Sequence, residues 1–536
     1  MSNAFQSQYI PYSITGKFTK IILDYVAGAA DLKDFYEHEV SVEGIQAVID
    51  QRKIFTTNRK LLVDQLAIQY KNLVDSEKVR GNIEALSDEK TFTVCTAHQP
   101  NIFTCHLYFI YKILHAVKLA EDLKRKLPGY NFVPVFFMGS EDADLEELNH
   151  VVIDGRKYVW DTKQKGAVGR MKVDDNLLKL INEIEGRISV EKYGADIIGV
   201  LKKCFQKNET IEQATFLLIH YLFKDYGLVV FLPDNANFKK EMDPVFHEDI
   251  FENSSSKIVE NTSKALSLKY KVQAYPREIN LFYLKDDIRN RIVQNKEQFI
   301  VHDTDIIFTK DELKQELENY PERFSPNVIL RGLMQETILP NIAFIGGGGE
   351  IAYWLELKNL FQHYKIPFPV LIVRNSFLII EKKYKQLIEK LGLKPEDVFN
   401  EEEELLNRIV KRETPNRLKL DEEKFQIKQA YESIKKLVRQ IDVTLEQHAE
   451  SLETRSDKKL AAMEKKMLRA EKRKFENAKN QLSKLISVLA PGGGLQERTE
   501  NFMLLYAKWG SSLFKVLYDN SLTLEQEFCV ITETDS

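Results

Sequence analysis

The segment TFTVCTAHQPNIFTCHLYFIYKILHAVKLA, residues 91–120, decides the fold of this chain. It opens with a β-rich apolar run, passes through a polar turn, and continues into apolar residues that recur at helical spacing. After Pro128-Gly129, the apolar run FVPVFFM at 132–138 predicts a second buried strand that is parallel to the first. The chain is therefore predicted to be an α/β protein whose core starts with a strand–helix–strand unit.

A second unit of the same kind is predicted from residue 341 onward. A strand at 341–345 runs into four glycines at 346–349, which are followed by a helix and by a further strand at 369–373. Residues 151–320, between the two units, predict a mixture of strands and helices that the pattern does not order. The first 90 residues are predicted to be mainly helical.

The C-terminal third carries heptad repeats, which are typical of coiled coils. Two series are spaced by seven: Ile427, Ile434, Ile441 and His448, and then Ala461, Leu468, Phe475, Leu482 and Leu489. The polar break at 450–454 permits either a hairpin or one continuous rod, and the sequence PGGG at 491–494 ends the second helix. A bracing or dimerising role is expected, through either an intra-chain hairpin or a seam between chains.

These patterns divide the chain into five predicted regions. They are a helical N-terminal region (1–90), the first part of the core (91–150), connecting insertions with further core elements (151–323), the second part of the core (324–380) and a helical coiled-coil domain (381–536).

Composition excludes several classes of protein. The 536 residues include 76 Lys and Arg against 80 Asp and Glu, a formal net charge of -4, so a polycationic nucleic-acid binder is not expected. The four cysteines form no CxxC pair, which argues against a disulfide framework or a ribbon-type zinc site. No export signal opens the chain, and the most apolar run, 368–380, falls short of the roughly 20 residues that span a bilayer. A cytoplasmic protein without a membrane or nucleic-acid partner is expected.

Polar side chains follow the predicted parallel strands, at the edge where open α/β sheets bind their ligands. The loop 98–106 precedes a helix whose N-terminus suits a phosphate, although a capped loop with surface histidines explains it equally well. The glycines at 346–349 match neither GxGxxG nor the phosphate-binding P-loop, and a tight turn explains them more simply. Arg374 suits a phosphate or a carboxylate, and a salt bridge to Glu141 or Asp142 would place it there equally well.

A metal site is not predicted. Cys95, His98, Cys105, His106 and His150 lie in or near the same loops, and zinc would need three or four of them to converge. Cys95 lies in the middle of an apolar strand, where it is most simply a small buried hydrophobic residue.

Five blocks, in this order along the chain, resemble the bacillithiol synthase family, whose members are also described as cysteine ligases. They are TAHQPNIFTCHLYFIYKILHAVKLA (96–120), VPVFFMGSEDADLEELNH (133–150), KVQAYPREINLFYLKDDIRNRI (271–292), FSPNVILRGLMQETILPNIAFIGGGGEIAYWLELK (324–358) and FPVLIVRNSF (368–377). The resemblance extends to LQER at 495–498. Cys105-His106 stands where the family more commonly has Gly-Pro, and Gly348 stands where it has proline.

The resemblance implies a Rossmann-like core related to class I aminoacyl-tRNA synthetases, with connecting insertions and a C-terminal coiled coil through which subunits form a homodimer. It also implies a ligase that adds L-cysteine to glucosaminyl malate in the last step of bacillithiol biosynthesis. Since a carboxylate does not acylate an amine at neutral pH, activation by ATP or a related nucleotide is expected, in a site with positive potential around the phosphates.

The resemblance, carried over position by position, gives the expected binding residues, and the carboxylate-bearing loop after the second strand gives the expected catalytic residues. The expected catalytic carboxylates are Glu141, Asp142 and Asp144; the expected substrate- or nucleotide-binding residues are His98, Gln99, Thr104, His106, Gly347, Gly348, Gly349, Glu350, Tyr353, Arg374 and Ser376. Replacing Arg374 with alanine is expected to reduce turnover far more than thermal stability.

Two other functions remain open at this point. The alternative is a non-catalytic nucleotide-binding assembly protein of the same pathway, whose coiled coil recruits another enzyme. Aminoacylation of tRNA is disfavoured by the acidic charge balance.

Overall fold

A computed structural model describes residues 5–73 and 75–534 of the chain. These residues form two compact units. The first contains the described residues up to Leu378 together with Leu495–Ile531, and the second contains Ile379–Gly494 with the last residues from Thr532 onward.

The core of the first unit is a sheet of five parallel strands. They are β1 (Thr91–His98), β2 (Asn131–Met138), β3 (Val229–Phe231), β4 (Asn341–Gly346) and β5 (Val370–Val373). Their spatial order is β5-β4-β1-β2-β3, and every neighbouring pair is parallel. The chain therefore builds outward on one side of β1 and later on the other, which makes the gap between β1 and β4 the point where the strand order reverses.

Apolar residues on both faces of the sheet explain why these segments become buried strands. The helix α1 (Leu107–Lys126) connects β1 to β2 and buries Leu119 and Leu123 in the same cluster as Val94 and Ile345. The predicted strand–helix–strand unit is confirmed.

The N-terminal region and the insertion are mostly helical. Before the core come a strand, Phe5–Ile10, and the helices Lys20–Val26, Val42–Ile54, Arg59–Tyr70 and Glu77–Ala85. The insertion holds a hairpin of His150–Ile153 and Arg156–Val159, and then the helices Asp175–Ile188, Gly194–Cys204, Ile211–Phe223, Ala236–Lys240, Asp243–Glu252 and Ser254–Ser267.

A second, antiparallel sheet follows in the chain. Its strands are Leu281–Lys285, Ile288–Asn295, Gln298–Val301, Ile307–Thr309 and Phe324–Pro326. The helices Lys310–Asn319 and Val328–Ile338 lead into the second half of the core, where α2 (Gly348–Trp354) and Lys358–Tyr364 connect β4 to β5. The single helix predicted over this last stretch is thus two short helices.

The second unit contains a long helical hairpin. Its two helices are α3 (Asp421–Arg439) and α4 (Thr444–Lys472), and the helices Lys382–Lys390, Glu402–Glu413 and Glu476–Leu489 accompany them. Lys424 pairs with Glu464 at 2.8 Å and Lys435 with Glu453 at 2.9 Å, so the two helices run antiparallel within one chain. The reversal lies at residues 440–443, where Asp442 accepts the Thr444 amide at 2.8 Å, and the polar break at 450–454 continues as helix.

The chain returns to the first unit after PGGG. Leu495–Ile531 carries the helices Met503–Trp509 and Ser512–Asp519, and Leu495, Phe502 and Leu513 are buried. The predicted C-terminal domain, 381–536, differs from the compact units at this point, because these apolar residues pack into the first unit. No helix of the described residues is long and apolar enough to cross a membrane.

Candidate functional site

A cavity of about 800 Å³ opens at the carboxyl edge of the parallel sheet. Residues at the carboxyl ends of all five strands line it: His98 and Gln99 at the end of β1, Gly139, Glu141 and Asp142 after β2, Pro233 after β3, Gly347–Glu350 after β4, and Arg374 after β5. It therefore lies where the strand order reverses, and its volume is within the range of small-molecule sites.

Most of the predicted site residues meet at this cavity. His98, Gln99, His106, Glu141, Asp142, Gly347, Gly348, Gly349, Glu350, Tyr353 and Arg374 all line it. Thr104, Asp144 and Ser376 do not.

Each of these three side chains lies away from the cavity wall for a local reason. Thr104 is fully buried in a strained turn in which Phe103, Thr104 and Cys105 all have positive φ, and Asn501 braces that turn by donating to the Phe103 carbonyl at 3.0 Å. Asp144 caps the short helix Leu145–Leu148 by accepting the Glu147 amide at 3.2 Å. Ser376 is buried beneath Arg374.

The two histidines of the first loop are uncharged near neutral pH. Burial is the main cause that lowers the pKa of His98 well below its ordinary value, and burial lowers the pKa of His106 to about 4. His98 Nε2 lies 3.2 Å from the Tyr108 hydroxyl, and His106 Nδ1 lies 3.3 Å from the Thr499 carbonyl oxygen. These imidazoles can donate hydrogen bonds to a ligand, but they add no positive charge near neutral pH.

The glycine run is a tight strand-to-helix turn that also faces the cavity. The amide of Gly347 donates to Glu350 Oε2 at 2.8 Å, and the buried ammonium of Lys112 donates to the same oxygen at 2.5 Å. A Cβ atom on Gly346 would lie 2.9 Å from the Phe344 ring, so this position requires glycine. The tight turn therefore also forms part of the cavity lining.

Three further arginines line the cavity, and sequence reasoning missed all of them: Arg289, Arg331 and Arg498. Arg331 donates to the Tyr353 hydroxyl, while its buried Nη1 has no hydrogen-bond partner among the described residues. The guanidinium of Arg289 stacks on Phe282 at 4.0 Å. Each arginine lies in or beside a block that carried the family resemblance, which was the available signal.

Arg374 is held by a carboxylate that the sequence did not indicate. Its Nη2 donates to Glu497 Oε1 at 2.7 Å, and its Nη1 donates to the Ser376 hydroxyl at 3.0 Å. Glu497 is fully buried, and it also accepts the Phe377 amide at 3.0 Å. The salt bridge considered from sequence, to Glu141 or Asp142, is not the one that forms.

Carboxylates also line the cavity, among them Glu141 and Asp142. Glu141 is buried and ion-paired with Lys239, whose ammonium also lies 3.1 Å from Asp234. Burial, the largest cause, raises the pKa of Glu141. Asp142 is only partly buried, accepts Gln99 Nε2 at 3.2 Å, and forms no ion pair among the described residues.

Metal coordination has no candidate cluster here. Among the residues that the structure describes, no group of three or more His, Cys, Asp and Glu side chains is placed to hold an ion.

Two family models together match nearly the whole chain. The N-terminal Rossmann-like domain of bacillithiol biosynthesis BshC matches residues 5–375, and the C-terminal coiled-coil domain of the same family matches residues 377–533. The chain belongs to the BshC family. This confirms the resemblance found in the sequence, together with the predicted Rossmann-like core and coiled coil.

Relatives in this family match this chain over almost the full length of both proteins. A protein of Flavobacterium johnsoniae is 38% identical over 532 residues, covering 98% of this chain and 99% of its own length. A protein of Christiangramia forsetii is 37% identical, with 98% of each chain covered. Both are named "Putative cysteine ligase BshC".

A solved structure from Campylobacter jejuni, titled a "putative arginyl t-RNA synthetase", covers 83% of this chain and 98% of its own at 11% identity. Its TM-score of 0.22 is too low to carry an argument, so the relation to class I synthetases stays a prediction.

Proposed function

We propose that this chain is a ligase that joins L-cysteine to the amine of glucosaminyl malate, completing bacillithiol, after a nucleotide has activated the cysteine carboxylate. The observation that carries the proposal is one cavity lined both by four arginines, Arg289, Arg331, Arg374 and Arg498, and by the carboxylates Glu141, Asp142, Glu147 and Glu350. The names of the relatives support the cysteine-ligase activity.

The reaction needs both the arginines and the carboxylates. A carboxylate oxygen of cysteine attacks a phosphorus atom of ATP and displaces pyrophosphate or ADP, which gives a mixed anhydride. The amine then attacks the carbonyl carbon, the phosphate oxygen leaves, and the amine gives up one proton to form the amide. The first step is stabilised by positive charge around the phosphates and the second by a base, while correct positioning contributes to both.

The arginines that line the cavity suit the phosphates. Arg331 has a buried guanidinium nitrogen without a partner among the described residues, and a phosphoryl oxygen is the kind of acceptor that would satisfy it. His98 and His106, neutral by their lowered pKa values, would donate hydrogen bonds on the same side. Gly347–Gly349 would allow the backbone to approach the ligand closely, with Glu350 and Tyr353 as the lining next to them.

Among the carboxylates, Asp142 is the better candidate for the base. Glu141 is buried and its carboxylate is held by the ion pair with Lys239, so it is less accessible to the substrate amine. Asp142 faces the cavity, has only amide partners, and keeps capacity for an ammonium group or a proton. Asp144, engaged as a helix cap, has no part in this step.

The test uses purified full-length protein with L-cysteine, glucosaminyl malate and ATP, and detects bacillithiol by mass. We expect ATP-dependent product without any other protein, an outcome that would also exclude the non-catalytic assembly role. Absence of product, with both substrates shown to bind, would contradict the proposal.

The role of Asp142 is tested in the same assay by Asp142→Asn. We expect at least a tenfold loss of amide formation, because the amine keeps its proton. Hydroxylamine needs no such base, so trapping of activated cysteine as its hydroxamate should persist in this variant. Asp144→Asn is the matched control and should behave like the wild type. Equal losses in both reactions would remove the base role from Asp142.

The hairpin supports a homodimer, which we include in the proposal. Ile434 and Leu437 in α3 and Ile441 in the turn that follows it are 44%, 62% and 75% exposed, although all three are apolar. A second copy of this chain would cover that stripe, because exposed apolar stripes of this kind mark protein interfaces.

A further inference from the structure

The segment Leu495–Asn501, which we call the return segment, contacts both the loop after β5 and the loop before α1. Glu497 binds Arg374 after β5, and the Glu500 carbonyl accepts the amide of Leu107 at the start of α1 at 2.8 Å. Asn501 braces the strained turn before α1. This segment is therefore fixed against both loops to which phosphate binding is assigned.

Arg498 lies in this fixed segment and lines the cavity. Its backbone is held by the bond from its amide to the Leu495 carbonyl at 3.0 Å. Its guanidinium is exposed, and it forms no hydrogen bond or ion pair with any side chain in the described ranges 5–73 and 75–534. A fixed backbone therefore presents an unpaired cation to the cavity.

The neighbouring charges do not neutralise Arg498. Both oxygens of Glu497 are occupied, Oε1 by Arg374 at 2.7 Å and Ser376 at 3.1 Å, and Oε2 by the Phe377 amide. Two guanidinium groups thus share one carboxylate, which leaves an excess of one positive charge at this wall.

Arg374 is less accessible to a ligand than Arg498. Its side chain is buried, Nη2 is bound to Glu497, and Nη1 donates to the Asn375 carbonyl at 2.9 Å as well as to Ser376. Three of its five N–H groups are thus used within the protein. Arg498, by contrast, is exposed.

We propose that Arg498 binds an oxyanion of one substrate, and that the Arg374–Glu497 pair positions Arg498 at the cavity wall. The inference rests on the proposed function for the identity of the substrates. The oxyanion is either a phosphate of the nucleotide or a carboxylate of the malate group, since a guanidinium fork binds both in the same way. Arg498 is thus a binding residue, and Arg374 is a positioning residue.

The experiment measures equilibrium binding by calorimetry on the full-length protein, with ATP, glucosaminyl malate and L-cysteine titrated separately. The variants are Arg498→Ala and Arg498→Gln, and both should weaken one anionic ligand at least tenfold while the affinity for cysteine changes less than twofold. Arg125→Ala, at the far end of α1, is the matched control, because it removes only an exposed ion pair to Asp122. It should leave all three affinities unchanged.

The outcomes separate the two sources of the oxyanion. Weaker binding of ATP alone assigns Arg498 to a phosphate. Weaker binding of glucosaminyl malate alone, with no change for methyl glucosaminide, which lacks the malate, assigns it to a carboxylate. Unchanged affinities in both variants, each with the melting temperature of the wild type, would overturn the inference.

Binding requires no turnover, so the two proposals fail differently. A wild-type protein that binds its ligands through Arg498 but forms no bacillithiol would contradict the proposed function and leave this inference standing.

Discussion

At Arg374 a buried guanidinium and a buried carboxylate depend on each other. The side chains of Arg374 and Glu497 are 5% and 0% exposed, so each charge is neutralised mainly by the other. Sequence reasoning identified Arg374 as a site residue because it follows a strand of the core. It could not identify Glu497, which lies 123 residues away and after an entire second unit.

Arg374→Ala is expected to unfold more easily than the wild type, by about 3–5 kcal/mol, because it leaves the Glu497 charge buried and unpaired. The sequence alone led to the expectation that this substitution would reduce turnover far more than thermal stability. Adding Glu497→Gln should recover part of the loss, since it removes the orphaned charge. Urea denaturation of both variants measures this, and a double variant that is less stable than Arg374→Ala would contradict the coupling.

Glu212, in the helix Ile211–Phe223, provides a pH test. Burial, assisted by the charges of Asp234 and Glu141, raises its pKa from 4.5 to about 8. In the window from 4.5 to 8 the folded state therefore holds a proton that the unfolded state has released. The stability that this group contributes is fully present below pH 4.5 and is lost as the pH rises toward 8.

Glu212→Gln removes this loss. We expect wild type and variant to have similar unfolding free energies near pH 4.5, with the variant gaining on the wild type by up to about 1.4 kcal/mol per pH unit above it. The exposed Glu297→Gln is the control for the same chemical change. Parallel stability curves for wild type and Glu212→Gln between pH 5 and 8 would refute the raised pKa.

At the scale of elements, periodicity predicted what depends on local sequence. The strands β1, β2, β4 and β5 and the helix α1 were all recognisable because their apolar patterns are strong. The strand β3 lies in the region 151–320, and its place in the sheet could not be predicted. Only three residues define it, and its partner β2 lies about ninety residues earlier. The heptads predicted the hairpin helices, but they fit a hairpin and an inter-chain seam equally.

Leu437→Lys tests whether the exposed stripe of α3 is a dimer interface. We expect the variant to dissociate at concentrations where the wild type is dimeric, because it places a charge in an apolar interface. Helix content should stay constant, since Leu437 is already 62% exposed within the hairpin. Sedimentation equilibrium and circular dichroism measure the two quantities.

Gln429→Lys provides the control, because this exposed position lies on the same helix but away from the stripe. A dimer that survives Leu437→Lys, or one that Gln429→Lys disrupts equally, would place the interface elsewhere.

At the scale of the whole first unit, one sheet edge collects residues from five strand ends into a single cavity. The parallel topology made this convergence predictable, because the carboxyl ends of parallel strands share an edge. Arg289, Arg331 and Arg498 were not predictable in the same way, since they come from the antiparallel sheet, the helix Val328–Ile338 and the return segment. Only the folded chain brings these cations to the carboxylates.

We propose that this cavity converts the cysteine carboxylate into a mixed anhydride with phosphate before the amide forms. L-cysteine labelled with ¹⁸O in its carboxylate tests this most directly, with mass spectrometry of both the bacillithiol and the nucleotide products after a single turnover. We expect one ¹⁸O atom in AMP or in inorganic phosphate for each amide formed, because the oxygen that leaves carbon stays on phosphorus. Bacillithiol formed while every phosphate-containing product remains unlabelled would contradict the account.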